Sequence, residues 1–336
     1  VFHNLMFTNR AVNTKDLLNA FGWSNADAFM QQDVQEMMRV LLDKLEEQSK
    51  RTSQDGRIKE MFCGGVRSFI SCTDVSYESK RDEEFYDIQL DVKDCSDIYE
   101  SFKKYTESEM LEGDNQYDAG PDFGKQDAKK GVIFTKLPPV LTIHLKRFDF
   151  DMQRLCHIKV HDYFGFPTWM NLDTFMAQDV PEDCRTNNDY LLHSVLVHSG
   201  DIGGGHYYAY IRPTTDKEDS FDYIKHAQFM RDETNKCNES ENNNDNEFTV
   251  KGNGVKESDN EIQKHLDEIG RCGKWFKFDD DLVYEVQDEE AINYCFGRST
   301  RDNYGINKGF SSAYMLLYMR ANTVQDTMGS FDNKND

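Results

Sequence analysis

No two of the eight cysteines in this 336-residue chain are spaced as Cys-x-x-Cys. Thiols scattered in this way build neither a disulfide framework nor a tetrahedral structural zinc site, so reduced cysteines and no bound metal are expected. That redox state points to the nucleus or the cytoplasm. Also missing is any apolar run approaching the roughly 18 residues a membrane span needs. Cations are scarce as well: 39 Lys and Arg stand against 61 Asp and Glu, a net charge of −22. A chain without a basic patch has little with which to neutralise phosphates, which argues against nucleic acid as a partner and leaves a basic protein surface as the better match. There is no internal repeat. The first residue is Val1 rather than methionine, and Val1, Leu5 and Met6 read as the inside of a helix. An internal fragment whose natural start is missing is therefore expected, and targeting is not to be judged from it.

What is present suffices for a large core: 38 % of the residues are hydrophobic. Ser24 to Leu45 predicts a helix, with Ser24 and Asp27 as an N-terminal capping pattern and Phe29, Val34, Met37, Met38, Leu41, Leu42 and Leu45 at helical spacing. Gln31-Gln32-Asp33 lies inside it, either a solvated polar face or a functional one. Short aromatic and β-branched runs follow, at Val66 to Ser71, Val75 to Tyr77 and Phe85 to Leu90. Alternation through Tyr86, Ile88, Leu90 and Val92 predicts antiparallel strands with one wet face. Asp94 to Met110 has room for a short helix, and Gly113 to Gly131 is polar and turn-rich. Leu141, Ile143 and Leu145 alternate inward after Leu137-Pro138-Pro139, and Leu191 to Val197 and Tyr207 to Ile211 read as strands. Residues 214 to 273 are dominated by Asn, Asp, Glu, Lys and Ser, too polar to offset the entropy of ordering; a disordered insertion between two strands is expected. Val283 to Val286, a helix-like Glu289 to Tyr294 and Ala313 to Tyr318 follow, and residues 324–336 read as a linker.

Chemistry concentrates in two places. His198 to Pro213 holds two histidines around the glycines Gly203 to Gly205, then Tyr207, Tyr208 and Tyr210. Glycines allow close approach, so His206 can stand with little steric cover at the start of a strand, on a turn longer than a tight hairpin. The bland alternative is a loop histidine packing beside tyrosines. Lys274 to Asp281 ends an aromatic strand in three aspartates. A base histidine and a carboxylate to orient it make two thirds of a nucleophilic triad.

Together these pieces resemble the ubiquitin-specific protease family of papain-like cysteine proteases, and within it the herpesvirus-associated subgroup. The resemblance runs from Val1 to about Arg320, broken by the insertion. It rests on Phe29 to Glu36, on Leu137 to Leu141 with Lys146-Arg147-Phe148, on Gly204-Gly205-His206-Tyr207, on Trp275 to Asp281 and, for the subgroup, on Gly113 to Gly120. It implies an α+β papain-like fold with thumb (1–60), fingers (61–130) and a β-rich palm (131–213 and 274–323). It also implies hydrolysis of the isopeptide bond after the last glycine of ubiquitin, without a cofactor, by a protein expected to be monomeric. His206 would move the proton, Asp279 would orient it, and Asp280 would be a second polar group at the same site. Gln31, Asp33, Val34, Gln35, Phe148, Lys159, Tyr207 and Tyr314 would contact ubiquitin, Phe148 and Tyr314 being equally suited to the core. His198 is the rival base but matches no catalytic position.

The family's cysteine box, a glycine-rich turn ending in cysteine at a helix start, matches none of the eight cysteines. The nucleophile is therefore expected upstream of Val1, and the chain alone is expected to be inactive. A ubiquitin-binding pseudoenzyme is the alternative. Two Cys-x-x-Cys pairs that hold zinc in many relatives are replaced here by Cys72-Thr73-Asp74-Val75 and Tyr117-Asp118-Ala119-Gly120.

Overall fold

The computed structural model describes residues 4, 7, 8, 10, 12–20, 33–213, 274–298, 311–324 and 327. The chain forms two compact units that divide between Cys63 and Gly64. The expected insertion at 214–273, Ser24, Asp27 and Gln31, and nearly all of the expected linker lie outside the described residues.

The first unit carries α1 (Lys15–Ala20), α2 (Val34–Ser49) and α3 (Arg57–Phe62). The expected helix from Ser24 to Leu45 is not continuous. Asp33 has extended backbone angles, and its carboxylate accepts the N–H of Gln35 at 2.8 Å, so α2 starts there and runs past Leu45 to Ser49. A side-chain oxygen at that place satisfies one of the helix's orphan donors, which is why the polar box ends in aspartate.

The second unit opens with β1 (Gly64–Cys72), β2 (Glu78–Phe85) and β3 (Ile88–Asp91), followed by α4 (Ile98–Thr106). Then come β4 (Glu109–Leu111), β5 (Tyr117–Asp118), β6 (Lys125–Gln126) and β7 (Ala128–Lys136). Val75 to Tyr77 is no strand. Tyr77 N–H bonds back to Val75 O at 2.8 Å, forming the bend that reverses the chain between β1 and β2. Gly113 to Gly131 is less loop-like than its composition suggests, since β7 is already under way at Ala128. A four-stranded sheet in the order β2-β1-β7-β4 results, with a small separate core of Cys72, Ala119 and Ala128 against Tyr77 and Tyr117 at one end. α4 is held by reciprocal bonds: Asp97 accepts the N–H of Glu100, whose carboxylate accepts the N–H of Ser96.

The remaining strands are β8 (Val140–Lys146), β9 (Phe148–Asp151), β10 (Cys156–Lys159), β11 (Trp169–Asn171), β12 (Asp189–Asp201), β13 (Gly204–Ile211), β14 (Trp275–Asp279), β15 (Leu282–Val286) and β16 (Ser311–Arg320). The short helices α5 (Glu182–Arg185) and α6 (Asp288–Ala291) lie between them. Among the described residues the main sheet runs β15-β14-β13-β12-β16-β8-β3, with β11 added beside β12. Ile88, Leu90 and Val92 do alternate inward, but β3 pairs with β8 in parallel, not antiparallel as expected. β8 is buried at every position from Val140 to Leu145 because it lies between β3 and β16; an interior strand has no wet face to alternate with. The main core packs Leu141, Ile143, Leu145, Leu192, Val195 and Leu316 against Phe102 and Phe134.

Arg147, just beyond β8, ties these pieces together. It is fully buried and donates to four backbone carbonyls: Ala313 at 2.7 Å, Asp162 at 2.9 Å, and Val160 and Phe296 at 3.1 Å each. Burial lowers its proton affinity to about 10, and no carboxylate is among these four acceptors. A cation placed so gathers main-chain carbonyls from four separate places in the chain, one of which, Phe296 O, also accepts the N–H of Phe164 at 2.8 Å.

Candidate active site

β12 and β13 form a hairpin tighter than expected. Asp201 pairs with Gly204, leaving Ile202 and Gly203 as the two turn residues. Gly203 has φ +84°, a conformation that favours glycine. Gly204 and Gly205 belong to the strand itself. At Gly205 a Cβ would overlap the imidazole of His198 and come within 2.7 Å of Ser199 O. Gly205 thus serves close packing between strands, and His206, third on β13, has a side chain 46 % exposed.

Strand register assembles the rest. Tyr210 lies opposite Lys277, which in turn lies opposite Tyr284, while Asp279 lies opposite Leu282. Side chains alternate with period two, so His206, Tyr208 and Tyr210 of β13 share one face with Lys277 and Asp279 of β14 and Tyr284 of β15. On that face His206 Nε2 is 2.6 Å from Asp279 Oδ1. An ionised carboxylate can only accept, so Nε2 carries the proton and Nδ1 holds the lone pair. Asp280 Oδ2 is 4.0 Å from Nε2, too long for a hydrogen bond, and its side chain is 78 % exposed. Asp280 is the first residue of the β14–β15 turn, at φ 53°, which aspartate tolerates better than most residues. Asp281, the other turn residue, is exposed.

Asp279 has a second partner. Lys277 Nζ sits 2.7 Å from Oδ2, with the Tyr208 ring 4.1 Å away and the Tyr284 ring 5.8 Å away. The Lys277 bond first, and the His206 bond second, hold the Asp279 carboxyl below the usual range. Sequence reasoning passed over Lys277. Its signal was there in the spacing: a residue two before Asp279 on one strand shares its face.

His206, Asp279 and Asp280 are also the one group of three such side chains, among the described residues, with donor atoms mutually within 4.8 Å. A direct imidazole–carboxylate bond and a lysine ammonium on the same carboxylate suit proton transfer better than cation binding.

The opposite face of the hairpin holds the other expected residues. His198 packs against Phe148 (5.2 Å between ring centroids) and Tyr207 (4.8 Å), and Tyr314 packs against Phe148 and Tyr207 at 5.7 Å each. Lys159 Nζ reaches His198 Nδ1, His198 O and Gly200 O, each at 2.9 Å. Phe148, Lys159, Tyr207 and Tyr314 are thus one cluster, although 166 positions separate the first from the last. Only Phe148 is exposed and Tyr207 half-exposed; Lys159 and Tyr314 are buried, so they build the wall behind the surface. Burial, then Arg147, lowers Lys159 to about 8. Burial, then Lys159, pushes His198 down to about 4, which removes it as a rival base near neutrality. Asp33, Val34 and Gln35 start α2 in the first unit. The buried Cys295 thiol is pushed up to about 12 by burial, the reverse of an activated nucleophile. Among the described residues, the polar partners of His206 are carboxylates and none is a thiol.

A family profile described as ubiquitin carboxyl-terminal hydrolase matches residues 1–318. The chain belongs to that family. Relatives in the family include ubiquitin carboxyl-terminal hydrolase 7 of Drosophila melanogaster, 41 % identical over 98 % of this chain and 24 % of the relative. Another is ubiquitin C-terminal hydrolase 13 of Arabidopsis thaliana, 43 % identical over 99 % of this chain and 26 % of the relative. The chain therefore spans about a quarter of the length of these curated relatives. A similar solved fold is that of a SAGA DUB module containing Ubp8, bound to monoubiquitin, with TM-score 0.57 and 24 % identity over 88 % of this chain and 50 % of that one. The architecture is the papain-like one of the ubiquitin-specific proteases, mixed α/β with a sheet-rich core. No helix among the described residues is long and apolar enough to cross a membrane.

Proposed function

We propose that the chain is the greater part of a thiol-dependent deubiquitinase domain of the ubiquitin-specific protease type, acting on the isopeptide bond after the C-terminal glycine of ubiquitin. The observation that carries this reading is the 2.6 Å bond from His206 Nε2 to Asp279 Oδ1. It turns Nδ1 of His206 outward as the base for a cysteine thiol, expected from the sequence to lie upstream of Val1. Thiolate attack on the glycine carbonyl forms the S–C bond. His206, now protonated, gives its proton to the departing lysine amine as the C–N bond breaks. Water activated by the same imidazole then releases ubiquitin from the thioester. Asp279 holds the imidazole tautomer and stabilises its charged form; it is a positioning residue. Asp280 is a second polar group at the rim.

Ubiquitin's extended tail is proposed to meet the exposed Phe148 ring and Tyr207, backed by Lys159 and Tyr314. Gln31, Asp33, Val34 and Gln35 are proposed as further ubiquitin contacts. The grouping of the four palm residues around His198 supports the first part of this reading.

The test is turnover of a fluorogenic ubiquitin C-terminal amide by the full-length protein and its Asp279→Asn variant. Asparagine can accept through oxygen but stabilises the imidazolium poorly, so kcat/KM is expected to fall on the order of 10²–10⁴-fold. Tight ubiquitin binding with no turnover by the full-length protein would replace this reading with a ubiquitin-binding pseudoenzyme.

A further inference from the structure

We infer that Lys277 is a positioning residue of the same centre: it holds one oxygen of Asp279 so that the other faces His206, and its charge limits how strongly Asp279 retains the imidazolium. This rests on the deubiquitinase reading for its consequence in turnover, but its geometry stands by itself.

The three side chains are spaced along one face of two neighbouring strands. Asp279 is divided between them, Oδ1 with His206 at 2.6 Å and Oδ2 with Lys277 at 2.7 Å. A carboxylate held at both oxygens loses its freedom to rotate about the Cβ–Cγ bond, which otherwise would let it swing toward water. Lys277 is itself confined. Its side chain is only 15 % exposed, with its ammonium against the face of Tyr208 and near that of Tyr284. A lysine lodged among aromatic rings keeps its charge only if a counter-ion accompanies it, and Asp279 is that counter-ion. The pair is therefore mutually required.

The electrostatic consequence has a sign. A thiol protease works through a thiolate–imidazolium pair, and an unscreened aspartate would hold the imidazolium too firmly for it to release its proton to the amine. Lys277 partly neutralises Asp279 and offsets this. The charged and titratable groups around Lys277 come from every packed element. Tyr208, Tyr210 and His206 lie on β13, Asp279 on β14, Asp280 at the turn, Tyr284 on β15, and Glu290 and Cys295 beyond, Glu290 accepting from the Tyr210 hydroxyl at 3.2 Å. Of the two carboxylates near the imidazole, Asp279 is the one bonded to Lys277. Removing Lys277 thus leaves a more negative surround for the imidazole.

The experiment compares the full-length protein with Lys277→Met, Lys277→Arg, Asp279→Asn and the Lys277→Met/Asp279→Asn double variant. The readouts are kcat and KM across pH on a fluorogenic ubiquitin amide, and titration of His206 by NMR of carbon-13-labelled histidine, assigned with His206→Gln. Lys277→Met is expected to lower kcat about five- to twenty-fold with KM nearly unchanged. The alkaline limb and the NMR midpoint of His206 should rise together by about half a pH unit. Lys277→Arg should restore both, and Lys277→Met should add nothing in the Asp279→Asn background, because the lysine acts through that carboxylate. An NMR midpoint that stays put or falls in Lys277→Met overturns the assignment, as does an additive loss in the double variant. A wild-type protein with no turnover would sink the deubiquitinase reading alone, while the NMR titration would still decide the role of Lys277.

Discussion

Acid should weaken the fold through one buried imidazole whose contribution can be worked out. His198 is buried beneath Phe148 and Tyr207 and accepts from the Lys159 ammonium at Nδ1, an arrangement that requires a neutral ring. Its proton affinity is accordingly pushed from 6.5 to about 4, by burial first and Lys159 second. In the unfolded chain the ring takes up its proton near the ordinary value. Between the two values the unfolded state binds more protons than the folded one, so stability falls as pH drops through this window. Integrated from about pH 7 to about pH 4.5, the loss is about 2 kcal/mol for this one residue. His198→Gln keeps an acceptor for Lys159 but has nothing to titrate. Urea unfolding of both proteins, followed by circular dichroism at the two pH values, should find the variant losing about 2 kcal/mol less than the wild type on acidification. His193, also pushed down to about 4 by burial and then Arg212, titrates equally in both and cancels. Equal losses in the two proteins would refute the claim that His198 is held neutral inside the fold.

Other substitutions probe the supports of the site. Arg147→Met takes a donor from four buried carbonyls, of which Phe296 O still keeps the N–H of Phe164, and should cost about 3–5 kcal/mol in thermal unfolding; Arg147→Lys should recover only part, since one ammonium cannot reach all four. Gly205→Ala pushes a methyl into His198 and should cost about 1–3 kcal/mol while disturbing the β12–β13 pairing that carries His206, so turnover should fall further than stability alone explains. Asp33→Ala removes the cap of α2 and should lose about 1 kcal/mol in urea unfolding, with Asp33→Asn close to wild type.

Much of this was legible in the residues, for identifiable reasons. His206 and a cluster of three aspartates could be singled out because a glycine run, an aromatic strand and a carboxylate cluster are local patterns; that Asp279 is the partner was what the family resemblance implied, and in the structure His206 bonds Asp279 across 73 positions. Strand existence was also legible wherever hydrophobic alternation was strong, as in Ile88, Leu90 and Val92. Strand direction was not, because parallel pairing of β3 with β8 depends on what lies between them in the fold and leaves no mark in either strand. Nor was the burial of Arg147 and Lys159 visible: a cation flanking a strand reads as solvated until its carbonyl partners, up to 166 positions away, are known. The tight Asp201–Gly204 hairpin was hidden for a related reason. Glycines in series read as loop, whereas Gly204 and Gly205 are extended strand residues, and Gly205 is kept small by a neighbouring imidazole.

The central claim is that the Asp279-bonded imidazole of His206 activates a thiol for attack at ubiquitin's terminal glycine. Its most direct test is incubation of the full-length protein with a ubiquitin bearing a thiol-reactive electrophile at its C-terminus, alongside His206→Ala. The account predicts a covalent one-to-one adduct in the wild type, formed on the order of 10²-fold or more slowly in the variant. Adduct formation at the same rate in both proteins would contradict it.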